Sequence, residues 1–232
     1  MNLLVSDFDK TFFTSDYVKN IKIVNDFVDN NNIFVIATGR NVSHLLTDII
    51  NVNLKYKYLI CNDGGIIYNS DLKEIFRKDI SKKSLNIIIN IVKKHYNKEI
   101  NDWFIDTSKI YTKNLNSSAN AIIISINDIE AGNKLLLEIK DLCSDIEGYC
   151  SDNWLNIRAI GTSKKEGINF ISKIEKINKT NIYTIGDNIN DIDMIKEYNG
   201  YCVENSNDEL KLVCKNCVKN IKELIEKIKN RS

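Results

Sequence analysis

The 232-residue sequence predicts an α/β protein in which a parallel sheet alternates with helices and a second, smaller α/β unit is inserted. Three observations predict it. Short apolar runs stop abruptly at carboxylates, hydroxyls or glycine, and segments of helical apolar rhythm lie between them. From about Ile75 to Asn156 that alternation gives way to a different mixture of short strands and helices lacking acids at strand ends.

The elements follow in order. Leu3-Leu4-Val5-Ser6 reads as a buried strand that delivers Asp7 and Asp9, separated by Phe8, to its C-terminal edge. In open α/β sheets ligands sit outside the carboxyl ends of the strands, although an isolated Asp-x-Asp reads equally well as a polar loop. Tyr17 to Asn31 has a helical rhythm through Val18, Ile21, Val24, Phe27 and Val28. Ile33 to Ala37 is a second strand, and strand-helix-strand makes a right-handed βαβ unit. It ends at Thr38-Gly39-Arg40, where a hydroxyl and backbone N–H groups suit a phosphate. Val42 to Ile50 predicts a helix and Tyr58 to Cys61 a strand.

Within the insertion the pattern predicts helices over Ser84 to His95 and Glu130 to Cys143. Strands are predicted around Trp103 to Ile105, Ala121 to Ile126, near Tyr149, and over Leu155 to Ile157. The parallel alternation then returns with helix Lys165 to Ile174, strand Ile182 to Ile185, helix Asp191 to Glu197 and strand Gly200 to Val203. A last helix, Val218 to Lys229, carries the apolar stripe Ile221, Leu224, Ile225 and Ile228, which reads as core packing. After Gly186 the chain releases a dense acidic cluster, Asp187, Asp191 and Asp193. Hard oxygen ligands with few imidazoles or thiolates nearby select Mg²⁺ over Zn²⁺. Asp193 reads as an ordinary acid of a helix first turn.

Composition narrows the class. With 43% hydrophobic and 27% charged residues the chain can bury an ordinary core. Thirty-two basic against 31 acidic residues give a formal +1, so no global field draws it to nucleic acid or membrane. No apolar run approaches the roughly 20 residues needed to span a bilayer, and no signal-peptide pattern opens the chain, which predicts a cytoplasmic protein. Cys214-Lys215-Asn216-Cys217 has metal-like spacing, but no second pair accompanies it and His44 and His95 lie far off in sequence. The six cysteines therefore read as structural or incidental thiols. The absence of proline and the abundance of Asn, Ile and Lys read as compositional bias without functional content.

Taken together, the chain resembles the haloacid dehalogenase-like phosphatases, and within them the Cof-type subgroup with a cap inserted between the second and third motifs. Asp7-Phe8-Asp9-Lys10-Thr11 is similar to motif I, Ala37-Thr38-Gly39-Arg40 to motif II, Lys164 to motif III and Gly186-Asp187-Asn188-Ile189-Asn190-Asp191 to motif IV. Cys61-Asn62-Asp63-Gly64-Gly65 resembles the turn that precedes the cap. The resemblance implies a Rossmann-like parallel sheet core with helices on both faces, over residues 1–75 and 157–232, and an α/β cap over 76–156. It implies Asp7 as nucleophile, Asp9 as general acid and base, and Mg²⁺ held by Asp7, the Asp9 carbonyl and Asp187 with Asp191 close by. Thr38, Gly39, Lys164 and Asn190 would hold the phosphoryl oxygens.

Two positions depart from the family pattern. Lys10 stands where glycine is usual, bringing a side chain and a positive charge into the loop. Lys164 is followed by Lys165, and only one of two adjacent lysines can point inward at a helix start; the small residue before Lys164 favours the first. Arg40 either meets substrate or covers the sheet edge, Asn62 and Asp63 either shape the hinge or meet substrate, and Trp103, Asn153, Trp154 and Arg158 are candidate substrate contacts in the cap, the two tryptophans being otherwise core. The expected activity is hydrolysis of a small phosphorylated metabolite such as a sugar phosphate. The alternatives are a phosphomutase or phosphotransferase on the same scaffold, or a non-catalytic phosphometabolite-binding protein.

Overall fold

The computed structural model describes residues 1–230. The first strand, β1 (Leu3–Asp7), is followed by α1 (Tyr17–Asp29), β2 (Ile33–Ala37), α2 (Val42–Ile49) and β3 (Tyr58–Cys61). A hairpin, β4 (Ile66–Asn69) and β5 (Glu74–Arg77), leads to a second unit. That unit comprises α3 (Lys82–His95), β6 (Ile100–Asp106), β7 (Tyr111–Thr112), β8 (Ala121–Ile126), α4 (Ile129–Leu142), β9 (Ile146–Ser151) and β10 (Trp154–Ala159). The chain then returns through α5 (Lys164–Glu175), β11 (Ile182–Gly186), α6 (Ile192–Glu197), β12 (Asn199–Val203), α7 (Asp208–Val213), β13 (Cys217–Val218) and α8 (Ile221–Lys229).

The larger sheet runs β13-β12-β11-β1-β2-β3-β4-β5, parallel from β13 to β3 and antiparallel in the hairpin. Alternation along the strands builds two cores. Leu4, Phe34 and Ile36 pack with α1, α2 and α8 on one face, while Leu3, Val5 and Val35 pack with α5, α6 and α7 on the other. This is the Rossmann-like arrangement. Because β2 and β11 flank β1, their carboxyl ends converge at the point where the strand order reverses, which is where such sheets hold ligands.

The smaller sheet, β7-β6-β8-β10-β9, is antiparallel throughout. One face packs on α3 and α4 through Trp103, Ile105, Ile122, Ile124, Leu155 and Ile157. Two chain crossings join the units and are stitched to each other. Lys78 Nζ donates to the Ile160 carbonyl at 2.7 Å, and the buried Asn120 amide donates to the carbonyls of Gly65 and Lys78 at 2.9 and 3.1 Å.

Several boundaries differ from those the sequence predicts. The last helix starts at Ile221: Asn220 caps it by accepting from the Glu223 amide at 3.2 Å, and Val218 instead pairs with Val203 as the sheet edge. Asp191 closes a 3-10 turn, Ile189–Asp191, before α6. The β4–β5 hairpin, β7, β13 and α7 carry no predicted counterpart. No helix among the described residues is long and apolar enough to cross a membrane.

Candidate active site

Asp7 is the last residue of β1, and the chain after it turns sharply. The Phe8 carbonyl accepts from the amides of Phe12 and Phe13 at 3.0 and 2.7 Å, and the buried Phe8 ring stacks on Phe13 at 5.2 Å. That turn requires a left-handed residue, and Lys10 supplies it at φ 58° with its side chain exposed, in the conformation for which glycine is ordinarily chosen. Asp9 faces Arg40, whose Nε donates to it at 2.8 Å; the same guanidinium donates to Asp48 at 2.6 Å and lies 5.1 Å from the Phe8 ring.

Lys164 enters from the first residue of α5, where Ser163 caps the helix by accepting from the Glu166 amide at 3.1 Å. Gly64, at φ 92°, permits this approach, since a Cβ there would sit 2.2 Å from the Ser163 carbonyl oxygen. The Lys164 ammonium is wholly buried and donates to Asp7 Oδ1 at 2.6 Å and to Asp191 Oδ1 at 2.7 Å. Lys165 instead turns outward, 31% exposed, and pairs with Glu166 at 3.1 Å. Of the two adjacent lysines, Lys164 is the one beside the acids.

The third contribution comes from β11. Gly186 has no side chain because Asp191 folds back over it; a Cβ there would lie 2.4 Å from the Asp191 carboxyl carbon. Asp191 Oδ2 accepts from the amides of Asp187 and Asn188 at 2.9 and 3.0 Å, fixing the loop. Thr11 donates its hydroxyl to Asp187 Oδ1 at 3.1 Å. Asp7, Asp187 and Asp191 are all buried and bring one oxygen each within 4.8 Å of one another.

The electrostatics follow from that crowding. Burial, with the fields of Asp191 and Asp187, holds the Asp7 carboxyl well above the usual range although Lys164 opposes it. Burial and Asp191 likewise raise Asp187. Burial alone would depress the Lys164 ammonium, yet Asp191 and Asp7 reverse that and keep it firmly protonated. One lysine against three carboxylates leaves negative charge in a buried place, and Asp7 Oδ2 has no hydrogen-bond partner. An orphan carboxylate oxygen beside two further acids is a donor set that fits a hard divalent cation.

Thr38 is buried at the end of β2, its hydroxyl oxygen accepting from the Arg40 amide at 3.1 Å. Gly39 lies beside the Asp63 carboxylate, 3.4 Å from where its Cβ would be. Asp63, in a left-handed turn at φ 49°, links three elements: Asn190 Nδ2 donates to it at 2.8 Å, the Tyr149 hydroxyl at 2.6 Å, and Arg158 approaches to 3.8 Å. Asn62 is buried next to Asp63 and faces Asp106 of the second unit, its side-chain amide making no hydrogen bond.

A cavity of about 530 Å³ opens over these residues, lined by Asp7, Asp9, Thr38, Gly39, Asp187 and Asn190 from the larger unit. Lys10 and Arg40 line it too; Asn62, Asp63, Lys164 and Asp191 lie behind the wall. Of the candidates in the inserted unit, Trp154 lines the cavity. Trp103 is buried in that unit's own core, Asn153 faces solvent, and Arg158 pairs with Glu147 at 3.2 Å. Sequence reasoning passed over Phe104, Ile123, Tyr149 and Asn156, all of which line it. Period-two alternation against the buried Trp103, Ile122 and Leu155 is the signal that identifies them.

Comparison with known proteins gives the family and the fold. A model of the haloacid dehalogenase-like hydrolase family matches residues 4–122 and 97–224. Among curated proteins, the chain is 23% identical over 221 residues to the 5-amino-6-(5-phospho-D-ribitylamino)uracil phosphatase YcsE of Bacillus subtilis, covering 91% of this chain and 87% of that one. Among solved structures, SMU.1108c from Streptococcus mutans superposes with a TM-score of 0.83 at 15% identity, covering 100% of this chain and 98% of that one. The phosphatase BT1666 from Bacteroides thetaiotaomicron superposes with a TM-score of 0.82 at 17% identity, covering 99% and 94%. With a family model spanning most of its length and a parallel core interrupted by an antiparallel α/β unit, the chain belongs to the haloacid dehalogenase-like hydrolases.

Proposed function

We propose that this protein is a Mg²⁺-dependent phosphatase that hydrolyses a small phosphorylated metabolite, sugar phosphates included, through an aspartyl-phosphate on Asp7. The observation that carries the reading is the buried carboxylate of Asp7, one oxygen on Lys164 and the other without a partner, at the floor of the cavity. A buried carboxylate oxygen with no donor committed to it, on a residue that lines the cavity, is left free to act as the nucleophile.

In the first step the free Asp7 oxygen attacks phosphorus, the bond to the leaving oxygen breaks, and protonated Asp9 gives that oxygen its proton. In the second, Asp9, now a carboxylate, takes a proton from water as the water attacks phosphorus. The acyl-phosphate bond then breaks and Asp7 is restored. Thr38, the Gly39 amide, Lys164 and Asn190 hold the phosphoryl oxygens. Asp7, the Asp9 carbonyl and Asp187 would hold Mg²⁺, with Asp191 beside them fixing Lys164 and the loop; bound there, the ion neutralises charge on the transferring group. Arg40 holds Asp9 at the cavity mouth, and Asp9 exchanges that pair for the leaving oxygen when substrate enters.

Residues 76–156 act as the cap and the remainder as the catalytic core. The change from one sheet to the other falls a few residues after these limits, past Arg77 of β5 and past Ala159 of β10. The test is phosphate release from a panel of phosphomonoesters with Mg²⁺ and with chelator, with Asp7→Asn in parallel. Release that needs Mg²⁺ and is lost in the variant is expected; undiminished release by Asp7→Asn, free of contaminating phosphatase, would remove the mechanism.

A further inference from the structure

The cap sheet turns one face to its own helices and the other to the cavity, and cross-strand register fixes what the second face holds. Phe104 stands opposite Ile123, Ile123 opposite Asn156, and Asn156 opposite Tyr149, one row across β6, β8, β10 and β9. Two residues along β10, Trp154 stands opposite Ser151. All six line the cavity that Asp7 lines from below.

The row is mostly apolar and aromatic, and its two hydroxyls already have partners, which leaves the Trp154 indole N–H and the Asn156 amide open. The Tyr149 hydroxyl donates to Asp63 at 2.6 Å, and Ser151 accepts from Asn188 at 3.2 Å. Asn156, set between Ile123 and Tyr149, is the one side-chain amide of this roof without a hydrogen bond among the described residues. No cation of the cap lines the cavity; its one charged contribution there is Asp152, an acid. Arg158, one step further along the same face, is paired to Glu147 at 3.2 Å, and Lys113, 5.4 Å from the Phe104 ring, is paired to Asp102 at 2.6 Å. The cations that do line the cavity, Lys10 and Arg40, come from the loops after β1 and β2, beside Asp9 and Thr38.

Building on the phosphatase reading above, we infer that the leaving portion of the substrate is uncharged and carries a flat ring. The ring seats on Phe104, Ile123 and Tyr149 beside Trp154, with one hydrogen-bonding edge presented to Asn156. A second phosphate or a carboxylate at that end would lose its water against aromatic surface with no cation to receive it. A polyol or pyranose would bury several hydroxyls against a largely aromatic and aliphatic roof, whose row leaves only the Asn156 amide and the Trp154 indole N–H open to them. A flat ring with few polar atoms meets the aromatic faces and needs only that amide.

The test compares kcat/KM for phosphate release by the full chain with Mg²⁺ from pyridoxine phosphate, uridine monophosphate, glucose phosphate, glycerol phosphate and fructose bisphosphate. The flat-ring esters are expected to exceed the other three by about tenfold. Trp154→Ala and Asn156→Ala, at positions outside the cap's own core, are each expected to cut the ratio of ring ester to glycerol phosphate by about fivefold. Equal turnover across the panel, a preference for the bisphosphate or the sugar, or a ratio unmoved in both variants, with release still dependent on Asp7, overturns the inference and leaves the phosphatase reading standing. Release from none of the five, identical in wild type and Asp7→Asn, overturns both.

Discussion

Lys164 concentrates the site's energetics in one side chain. It is buried with three carboxylates around it and touches two of them. Removing the ammonium while leaving the acids strands buried negative charge, a change that costs about 3–5 kcal/mol where a buried pair is broken. Lys164→Met is therefore expected to lower the unfolding free energy from urea curves by that amount and to abolish turnover, while Lys165→Met, at a partly exposed position, shifts stability within about 0.5 kcal/mol. Lys10 makes the opposite case. Its left-handed φ of 58° is strained for any residue with a Cβ, so Lys10→Gly is expected to stabilise the fold by about 1 kcal/mol, read from denaturant curves. At this scale much was legible. Acids at strand ends and a lysine after a small capping residue announce themselves by type and place. What the sequence could not carry is which oxygen remains unpartnered, or that Asn190 is held by Asp63, because those depend on contacts between residues 127 positions apart.

Elements meet at a second buried acid, Asp106, the last residue of β6. It receives the Ser108 amide at 2.7 Å and faces Asn62, Asn41 and, more distantly, His44 across the junction with α2. Burial outweighs these donors and pushes its carboxyl from 3.8 up to about 6. The folded protein then binds this proton more tightly than the unfolded chain does. Its contribution to stability is full below pH about 4 and is lost as pH rises through about 6, a total change of about 3 kcal/mol from the shift. Asp106→Asn is expected to flatten that dependence, so that urea unfolding between pH about 4 and 7 shows the variant gaining on wild type as pH rises. Core strands such as β1, β2 and β11 were legible as elements because each is a short apolar run closed by a polar or glycine stop. The β4–β5 hairpin was not, since Glu74, Phe76 and Arg77 alternate only weakly and β5 is half exposed at the sheet edge. Val218 was drawn into the last helix by the apolar stripe beyond it, whereas Asn220 caps the helix and leaves Val218 to the sheet.

The whole molecule is two units joined beside the site by polar contacts. Tyr149 of the cap and Asn190 of the core meet on the same carboxylate, Asp63, and Asn41 meets Asp106 at the other side. Tyr149→Phe leaves a buried Asp63 oxygen without its hydroxyl donor, a loss of about 1–3 kcal/mol. It is expected to loosen the cap and appear as faster hydrogen exchange at the 78–81 and 160–163 crossings. That an insertion splits the core was legible from the break in strand-helix alternation. That its sheet roofs the cavity was not, because the lining residues Phe104, Ile123 and Asn156 differ from ordinary sheet residues only in the side of the pleat they occupy.

The central claim is covalent chemistry at Asp7, and the direct test is to catch it. Asp9→Asn protein, unable to activate water, is mixed with Mg²⁺ and a phosphomonoester that the wild type hydrolyses, then quenched in acid, digested and weighed. The mass of one phosphoryl group is expected on the peptide carrying Asp7, removed by hydroxylamine and absent when Asp7 is also replaced by Asn. An unmodified Asp7 peptide from a variant that still releases phosphate, or a phosphoryl group lodged on another residue, would contradict it.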